Sequence, residues 1–308
     1  MNNIINLNRS TNTNPMENTM NTMEITGEKF DAFNLSYGEA SFDVHYETTR
    51  HINGSQYCFR EGEDRAIGIV GSTYPIRTRG HKDVIDQVRG AAHDALPDWF
   101  NDLTISQKLG RHGAWLKEEI TFPAQVKDVP SKPFGGTKII PMLSLTTSLD
   151  GLSSNVFSWG CKDLVCDNGM YIDDLKKMRK KNTANFTPEQ LVAEFAGAKE
   201  AFEKQVYYVR HLASRSVSEP QIDDMIEDLF GEKKFGKKMR EAINDEVSSR
   251  GPNVFSVVSA FTAYSSHESD RFAFRQTKHA NNNIAVRQND RSLDVARWME
   301  HPLFRIAA

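Results

Sequence analysis

Three clusters of basic residues stand out in this sequence, and clustered cations are suited to binding phosphate groups. The first cluster holds five cations within six residues, Lys176-Lys177-Met178-Arg179-Lys180-Lys181. The second comprises Lys233, Lys234, Lys237, Lys238 and Arg240. The third is a looser set formed by Arg271, Arg275, Lys278, His279, Arg287 and Arg291. Such clusters neutralise a phosphate backbone and gain affinity by releasing its counterions. The sequence therefore predicts anion-binding surfaces, with the first cluster as the best candidate.

Aromatic and basic residues near these clusters extend the same chemistry. Phe272 and Phe274 lie within the third cluster, where their rings are suited to stacking on unpaired bases. Arg77 and Arg79 follow a predicted strand and would extend the same surface. A solvated charged surface is the alternative explanation for each cluster. It fits the second cluster best, because that cluster follows residues 219–232, a segment with six acidic residues and no Lys or Arg.

Patterns typical of catalysis or of metal binding are incomplete in this sequence. Residues 231–238 nearly match a phosphate-binding loop, but Lys238 replaces the Ser or Thr that holds magnesium, and a helix is predicted before the segment instead of a strand. Cys161 and Cys166 lack further ligands at zinc spacing. We therefore predict no catalytic residue, no metal site and no cofactor. Three carboxylate pairs are the remaining potential metal ligands, Glu118-Glu119, Asp173-Asp174 and Asp223-Asp224.

The composition predicts a soluble globular protein of the cytoplasm. The chain has 308 residues, of which 39% are hydrophobic, and a net charge of -3, which argues against a uniformly basic nucleic-acid coat. Its apolar stretches are far shorter than the roughly 20 residues of a membrane-spanning helix, so we expect no membrane association. The N-terminus lacks the pattern of a secretory signal, and the three cysteines do not resemble a secreted disulfide scaffold.

The elements that must position the basic residues are strands in the first half of the sequence and helices in the second. Alternating apolar residues predict strands at 41–47, 56–60, 65–70, 114–122, 138–145 and 155–159, with one helix at 81–96 among them. Further helices are predicted at 187–214, 218–229, 253–265 and 291–299, and the first two begin with capping signals at Thr187 and Ser218. This order predicts an α+β fold, with a mostly antiparallel N-terminal sheet and a helical C-terminal half packed on it.

The domain organisation follows from the same patterns. Residues 1–24 are rich in Asn, Thr and Met and have almost no large apolar side chains, so we predict a disordered tail. No repeat or Gly/Ser/Pro-rich linker divides the rest of the chain. Residues 25–308 are therefore predicted to form a single α+β domain, β-rich over 38–160 and helical over 170–300.

Three segments together resemble a family carried by phages and plasmids, the phage/plasmid-like domain of unknown function. They are residues 67–77 with a G-x-x-Y element, residues 153–170 with V-C-D-N-G, and residues 254–267 with the sequence VFSVVSAFTAYSSH. The resemblance spans about residues 60–270. It implies an accessory DNA-metabolism protein of a mobile element in a bacterial host, similar in outline to phage single-strand annealing proteins. Ser259 and Ala263 stand where the family favours Asn and Glu, which argues against an enzyme.

Residues of the central segment also have structural explanations. Asn168-Gly169 predicts a turn, because both residue types tolerate positive φ. Trp159 and Cys161 alternate with small or polar residues, as strand residues facing a core do.

The basic clusters and the resemblance together predict a non-catalytic protein that binds or anneals single-stranded DNA and supports recombination or replication. We expect a homo-oligomer that works with host or phage replication and recombination proteins. The predicted DNA contacts are Lys176, Lys177, Arg179, Lys180 and Lys181, assisted by Arg77, Arg79, Arg275, Lys278 and Arg287, with Phe272 and Phe274 stacking on bases. Two alternatives stay open, a factor that binds and redirects a host protein and a metal-dependent nuclease.

Overall fold

The predicted α+β architecture is confirmed by the structure, in which antiparallel sheets come first and helices follow. The computed structural model describes residues 21–26, 38–48, 54–71, 80–130, 136–164, 168–170, 178–180, 192–193, 195–267 and 284–305.

The larger of two sheets forms the centre of the fold. Its main path is β1 (Asn21–Thr26), β5 (Asp102–Gly110), β6 (Trp115–Thr121), β8 (Thr137–Ser148), β9 (Asn155–Asp163) and β10 (Asn168–Met170), and every neighbouring pair is antiparallel. β7 (Lys127–Val129) pairs with β8, and β11 (Met178–Lys180) pairs with β9. Because side chains alternate along each strand, the sheet has two faces of different character.

One face of the large sheet carries the main hydrophobic core. Ile105, Ile120, Leu143 and Trp159 are register partners in a row that crosses β5, β6, β8 and β9, and all four are buried. The helices α1 (Lys82–Ala95) and α2 (Ala198–Ser214) pack against this face. In α1 the buried residues Val84, Ile85, Val88 and Ala92 recur at helical spacing, as the sequence predicts. We call this side of the sheet the apolar face.

A buried ion pair ties α1 to the apolar face. Arg89 of α1 is 1% exposed, and its Nε and Nη2 donate to the two carboxylate oxygens of Glu118 at 2.9 and 2.8 Å. Gln107 of the neighbouring strand donates to the same carboxylate at 2.5 Å. A charge this deep is tolerated only when it is paired and hydrogen-bonded, so the three side chains form one unit.

The smaller sheet consists of β2 (Val44–Thr48), β3 (Gln56–Arg60) and β4 (Ala66–Val70), all antiparallel. It has a small core of its own with the ends of β6 and β8, formed by Val44, Cys58, Ile67, Ala114 and Leu149. Gly68 allows β4 to pass close to the loop after β8, because a Cβ at Gly68 would lie 2.5 Å from the Cβ of Asp150. The small sheet is therefore held against the large one at this point.

The C-terminal helices are α3 (Glu219–Phe230), α4 (Lys234–Arg250), α5 (Val254–His267) and α6 (Ile284–Trp298). The capping signal at Ser218 is confirmed, since Ser218 and Gln221 form a reciprocal capping box at the start of α3. Gly236 lets α4 approach α3 closely, because a Cβ there would meet Phe230 Cβ at 3.2 Å. Aromatic contacts of Phe235 with Tyr264 and Trp298 join α4 to α5 and α6.

Several boundaries differ from the sequence-based expectations. β5 is absent from the predicted strands. The helix predicted over 187–214 ends as expected, and residues 192–193 and 195 are helical, but a turn at residues 196–197 separates them from α2, which begins at Ala198. Thr187 lies outside the described residues. Asn168-Gly169, predicted as a turn, instead lies in β10, where the two residues pair with Asp163 and Lys162. The prediction of a turn at this pair is therefore wrong.

β1 overlaps the segment in which composition predicts disorder. Residues 21–24 of the predicted tail belong to this strand, and their backbone pairs with residues 104–107 of β5. Strand pairing satisfies backbone groups without large apolar side chains, which explains order at these four residues despite their composition. Residues 1–20 lie outside the described part of the chain.

Candidate functional site

The second face of the large sheet carries a group of polar residues beside buried Trp115, Ile140 and Met142, and much of it is buried. Its side chains come from the adjacent strands β5, β6, β8 and β9. We define this polar face by Ser106, Lys108, Lys117, Glu119, Ser144, Thr146, Ser158 and Lys162. Lys117 is 8% exposed and Ser144 3% exposed, whereas Lys108 and Lys162 are half-buried. Lysines and hydroxyls are costly to bury without partners, so packing alone does not explain this composition.

Strand register arranges seven of these eight residues in two neighbouring rows, while Lys162 lies further along β9, opposite Ile140. In the first row Ser106, Glu119, Ser144 and Ser158 lie opposite one another across the four strands. In the second row Lys108 lies opposite Lys117, and Lys117 lies opposite Thr146. Like charges directly opposite each other destabilise a sheet, so the fold retains the two lysines at a cost.

Glu119 is the carboxylate at the centre of the polar face. Lys117 Nζ lies 2.6 Å from its Oε1. Burial alone would raise the pKa of Glu119, but the positive charges of Lys117, Lys108 and Lys162 and the hydrogen bond from Lys117 outweigh it and lower the pKa from 4.5 to about 2. Glu119 is thus ionised at neutral pH. Three lysines act on this one carboxylate, so positive charge converges on it from three strands.

This arrangement can bind anions. Lysine ammonium groups are donors to phosphate oxygens, and the serine and threonine hydroxyls beside them offer further hydrogen bonds. Because the groups project from strands, their spacing is set by the sheet and not by a loop. The polar face is therefore our candidate functional site.

α6 and the end of α5 border the polar face beside β5. Lys108 Nζ donates to Gln288 Oε1 at 2.9 Å, and Gln288 Nε2 donates to the carbonyl oxygen of Ser266 at 3.1 Å. Arg287, a predicted DNA contact, directly precedes Gln288 in α6 and is half-buried. The structure thus brings the backbone of this predicted residue next to a lysine of the polar face.

Most of the other predicted contacts cannot be compared with this site. Arg179 and Lys180 have a described backbone in β11, where they lie opposite Val156 and Asn155. Val156 also lies opposite Thr146, so the second row of the polar face continues in register to Arg179. The remaining predicted contacts lie outside the described residues, namely Arg77, Arg79, Lys176, Lys177, Lys181, Phe272, Phe274, Arg275 and Lys278.

The clustering of cations in the sequence does not reveal the lysines of the polar face. Eight residues separate Lys108 from Lys117, and 44 separate Lys117 from Lys162. None of the three has another cation directly beside it in the sequence. The signal that would have found them is a lysine alternating with apolar positions in a strand. Such a lysine belongs to the face opposite the core.

The second basic cluster starts α4. The alternative explanation of this cluster, pairing with the acidic segment 219–232, is confirmed at one position: Arg240 Nε lies 2.6 Å from Oδ1 of Asp223 in α3. The near match to a phosphate-binding loop follows α3 and not a strand, as expected from the sequence. From the third cluster, Arg291 is 9% exposed and packs its guanidinium over the Tyr264 ring at 5.5 Å, so this cation holds α6 to α5.

The described residues show no group of three or more His, Cys, Asp or Glu side chains arranged to hold a metal ion. Glu118 and Glu119 do not form a pair, because they are adjacent in β6 and project to opposite faces of the sheet. Trp159 and Cys161 belong to the hydrophobic core, as predicted. Cys58 is also buried, and this burial raises the pKa of its thiol to about 11, which suits a packing role better than a reactive one.

A second polar cluster surrounds the turn between β5 and β6. Arg111 and His112 both have left-handed backbone angles, with φ of 49° and 58°. Arg111 Nη1 donates to the carboxylate of buried Asp150 at 2.8 Å. His81 is fully buried beside this turn, and its Nε2 donates to the carbonyl oxygen of Gly113 at 2.7 Å. Burial lowers the pKa of His81 from 6.5 to about 4.

None of the described helices combines the length and apolar character needed to cross a bilayer.

Comparison with known proteins identifies one family. Neither a curated protein nor a solved structure matches the chain. The profile of a domain of unknown function matches residues 100–293, which run from just before β5 into α6 and include the whole polar face. The chain therefore belongs to the family described as Domain of unknown function (DUF932).

Proposed function

We propose that this protein binds single-stranded nucleic acid through the phosphate backbone, with the polar face as its contact surface and without catalysing a reaction. The observation that carries the proposal is the convergence of three lysines on Glu119, set among four serine and threonine hydroxyls. Phosphates that approach these lysines gain Coulomb energy in a partly desolvated site and release counterions.

The position of the lysines favours a single strand over a duplex. Lys117 is almost fully buried, and α6 borders the face at Lys108. A single backbone is narrower and more flexible than a duplex, so it can approach lysines that lie beside a bordering helix more closely. In this proposal Lys108 and Lys162, which are more exposed, contact phosphates, and Lys117 holds Glu119. Support of recombination or replication on a phage or plasmid is the role that the resemblance implies, and it belongs to the same proposal.

The test is binding of a fluorescently labelled single-stranded oligonucleotide across a salt series, with a duplex of the same sequence as comparison. We expect affinity for the single strand that falls steeply with salt. The double variant K108Q/K162Q should lower the log–log salt slope by about 1.4, since each single-strand phosphate contact contributes about 0.7. Absence of binding at low salt would overturn the proposal.

A matched control removes two lysines from the other side of the molecule. Lys127 of β7 and Lys199 of α2 each face an exposed carboxylate, Glu203 at 2.7 Å and Asp98 at 3.8 Å. K127Q/K199Q changes the net charge by the same amount as K108Q/K162Q. Equal loss of affinity in both double variants would show that net charge matters and the polar face does not.

A protein-binding role is the second candidate function, and one observation favours it. Asp224 and Glu227 are exposed on α3. Asp223, which precedes Asp224 in the sequence, is the residue that pairs with Arg240. A biological activity that survives K108Q/K162Q but is lost in D224N/E227Q would favour this role over nucleic-acid binding.

A further inference from the structure

The start of α4 carries three exposed lysines that the fold itself does not explain. Lys233, Lys234 and Lys237 are exposed, and none of them has an ion pair with any residue that the structure describes. We call these three residues the lysine patch. Arg240, three residues further along α4, does pair with Asp223, so the acidic α3 accounts for part of this basic segment but not for the patch.

The lysine patch destabilises the fold. Lys233 and Lys237 are four residues apart and Lys234 and Lys237 three, so these like charges are neighbours on the helix surface and repel each other. They also lie in or beside the first helical turn, where the helix dipole is positive and favours anions. The first turn of α4 contains no acidic residue that would offset this.

Close packing fixes the lysine patch in place. Gly236, in the middle of the patch, brings α4 against α3, where a Cβ would meet the carbonyl oxygen of Gly231 at 3.1 Å. Phe235 packs its ring against Tyr264 of α5 at 5.2 Å and against Trp298 of α6 at 5.8 Å. The patch therefore lies on a helix that packs against α3, α5 and α6, and not on a loop.

α6 connects the lysine patch to the polar face. Gln288, which accepts the hydrogen bond from Lys108, and Trp298, which contacts Phe235, are ten residues apart in α6. At 1.5 Å per residue this separation is about 15 Å, a distance that a few nucleotides of single strand span. The two sets of lysines thus lie near opposite ends of one helix.

We infer that the lysine patch is a second phosphate contact for the same nucleic-acid strand, which runs from the polar face along α6 to the start of α4. This inference rests on the proposed function. It assigns a length to the ligand: a strand long enough to cover α6 engages both sets of lysines, whereas a short one engages only one set.

The test compares the wild type with K233Q/K234Q/K237Q on labelled oligothymidylates of ~2 and ~20 nucleotides, lengths that bracket the usual site sizes of single-strand binders. For the long oligonucleotide we expect the triple variant to lower the log–log salt slope by about 2, or about 0.7 for each lost contact. For the short one, bound at the polar face, we expect no change. K127Q/K199Q/K204Q is the control with the same change in charge.

The outcomes separate the two proposals. If the wild type binds neither oligonucleotide at low salt, the proposed function fails, and the inference fails with it. If the wild type binds and K233Q/K234Q/K237Q matches the control variant on the long oligonucleotide, the inference is overturned while the proposed function stands. An equal loss for both lengths would also overturn the inference, because the contact would not depend on length.

Discussion

Replacing Glu119 by glutamine should weaken folding and strengthen anion binding at the same time. The carboxylate keeps its charge because three lysines lower its pKa from 4.5 to about 2 against the effect of burial. The difference between these two pKa values corresponds to about 3 kcal/mol of interaction that favours the ionised group in the folded state. E119Q loses this interaction and also leaves Lys117 without its charged partner, so its free energy of unfolding at pH 7 should fall by about 3 kcal/mol.

The pH dependence gives the sharper form of the same prediction. A carboxyl group with a lowered folded-state pKa stabilises the protein fully above its unfolded pKa near 4.5, and this stabilisation disappears as the pH falls through about 2. The difference between wild type and E119Q, measured by urea unfolding, should therefore be constant above pH 5 and shrink in more acidic solution. Glu232→Gln, at an exposed position, is the control and should change stability by less than about 0.5 kcal/mol.

Binding supplies the second readout for E119Q. The variant removes one negative charge from among the three lysines, so the single-stranded oligonucleotide should bind more tightly and with a steeper salt dependence than it binds the wild type. A variant that is only damaged would bind less. Stability equal to that of the wild type at every pH would refute our account of the lysines around Glu119, and weaker binding would refute the polar face as an anion site.

Three further perturbations test the framework that supports the site. His81 is buried, and its pKa is lowered to about 4, so the unfolded chain takes up the imidazole proton at a higher pH than the folded protein does. The free energy of unfolding should therefore fall by about 3 kcal/mol as the pH drops from 6.5 to 4. Urea unfolding of H81Q should lack this pH dependence, and an unchanged pH dependence would contradict the lowered pKa of His81. Arg89→Met leaves Glu118 buried without its partner and should cost about 3–5 kcal/mol, whereas R89M/E118L should recover most of the loss in the same assay. Gly68→Ala places a Cβ 2.5 Å from another Cβ and should lower stability by about 1–3 kcal/mol, while G71A, which meets nothing within 4 Å, should change thermal unfolding little.

Local patterns predict most of the fold because local physics decides those elements. β3 (Gln56–Arg60) has the predicted bounds, and α3 begins at the predicted cap because Ser218 and Gln221 need no distant partner. β5 escaped prediction for a reason visible in the structure. Leu103 and Ile105 follow the alternation, but the next inward position is Gln107, a polar residue that is buried only because Glu118 of another strand accepts its hydrogen bond.

The candidate site was much harder to predict than the fold. Clusters of cations in sequence show where charge is dense along the chain, whereas the polar face gathers single lysines from three strands. Lys108 and Lys117 lie opposite each other only because β5 and β6 pair in one register, and Lys162 reaches Glu119 only through the order of the strands. Sheet topology is a long-range property, and no local window of the sequence contains it.

The opposite placement of Glu118 and Glu119 has a consequence for how the sheet assembles. A slip of one residue between β6 and its neighbours would exchange the two faces of β6, so that Glu119 and Lys117 would enter the hydrophobic core and Arg89 would lose its carboxylate. Each misaligned pairing would bury several uncompensated charges. The charged residues of β6 thus discriminate against incorrect strand alignment during folding, a role that they fulfil whether or not a ligand is bound.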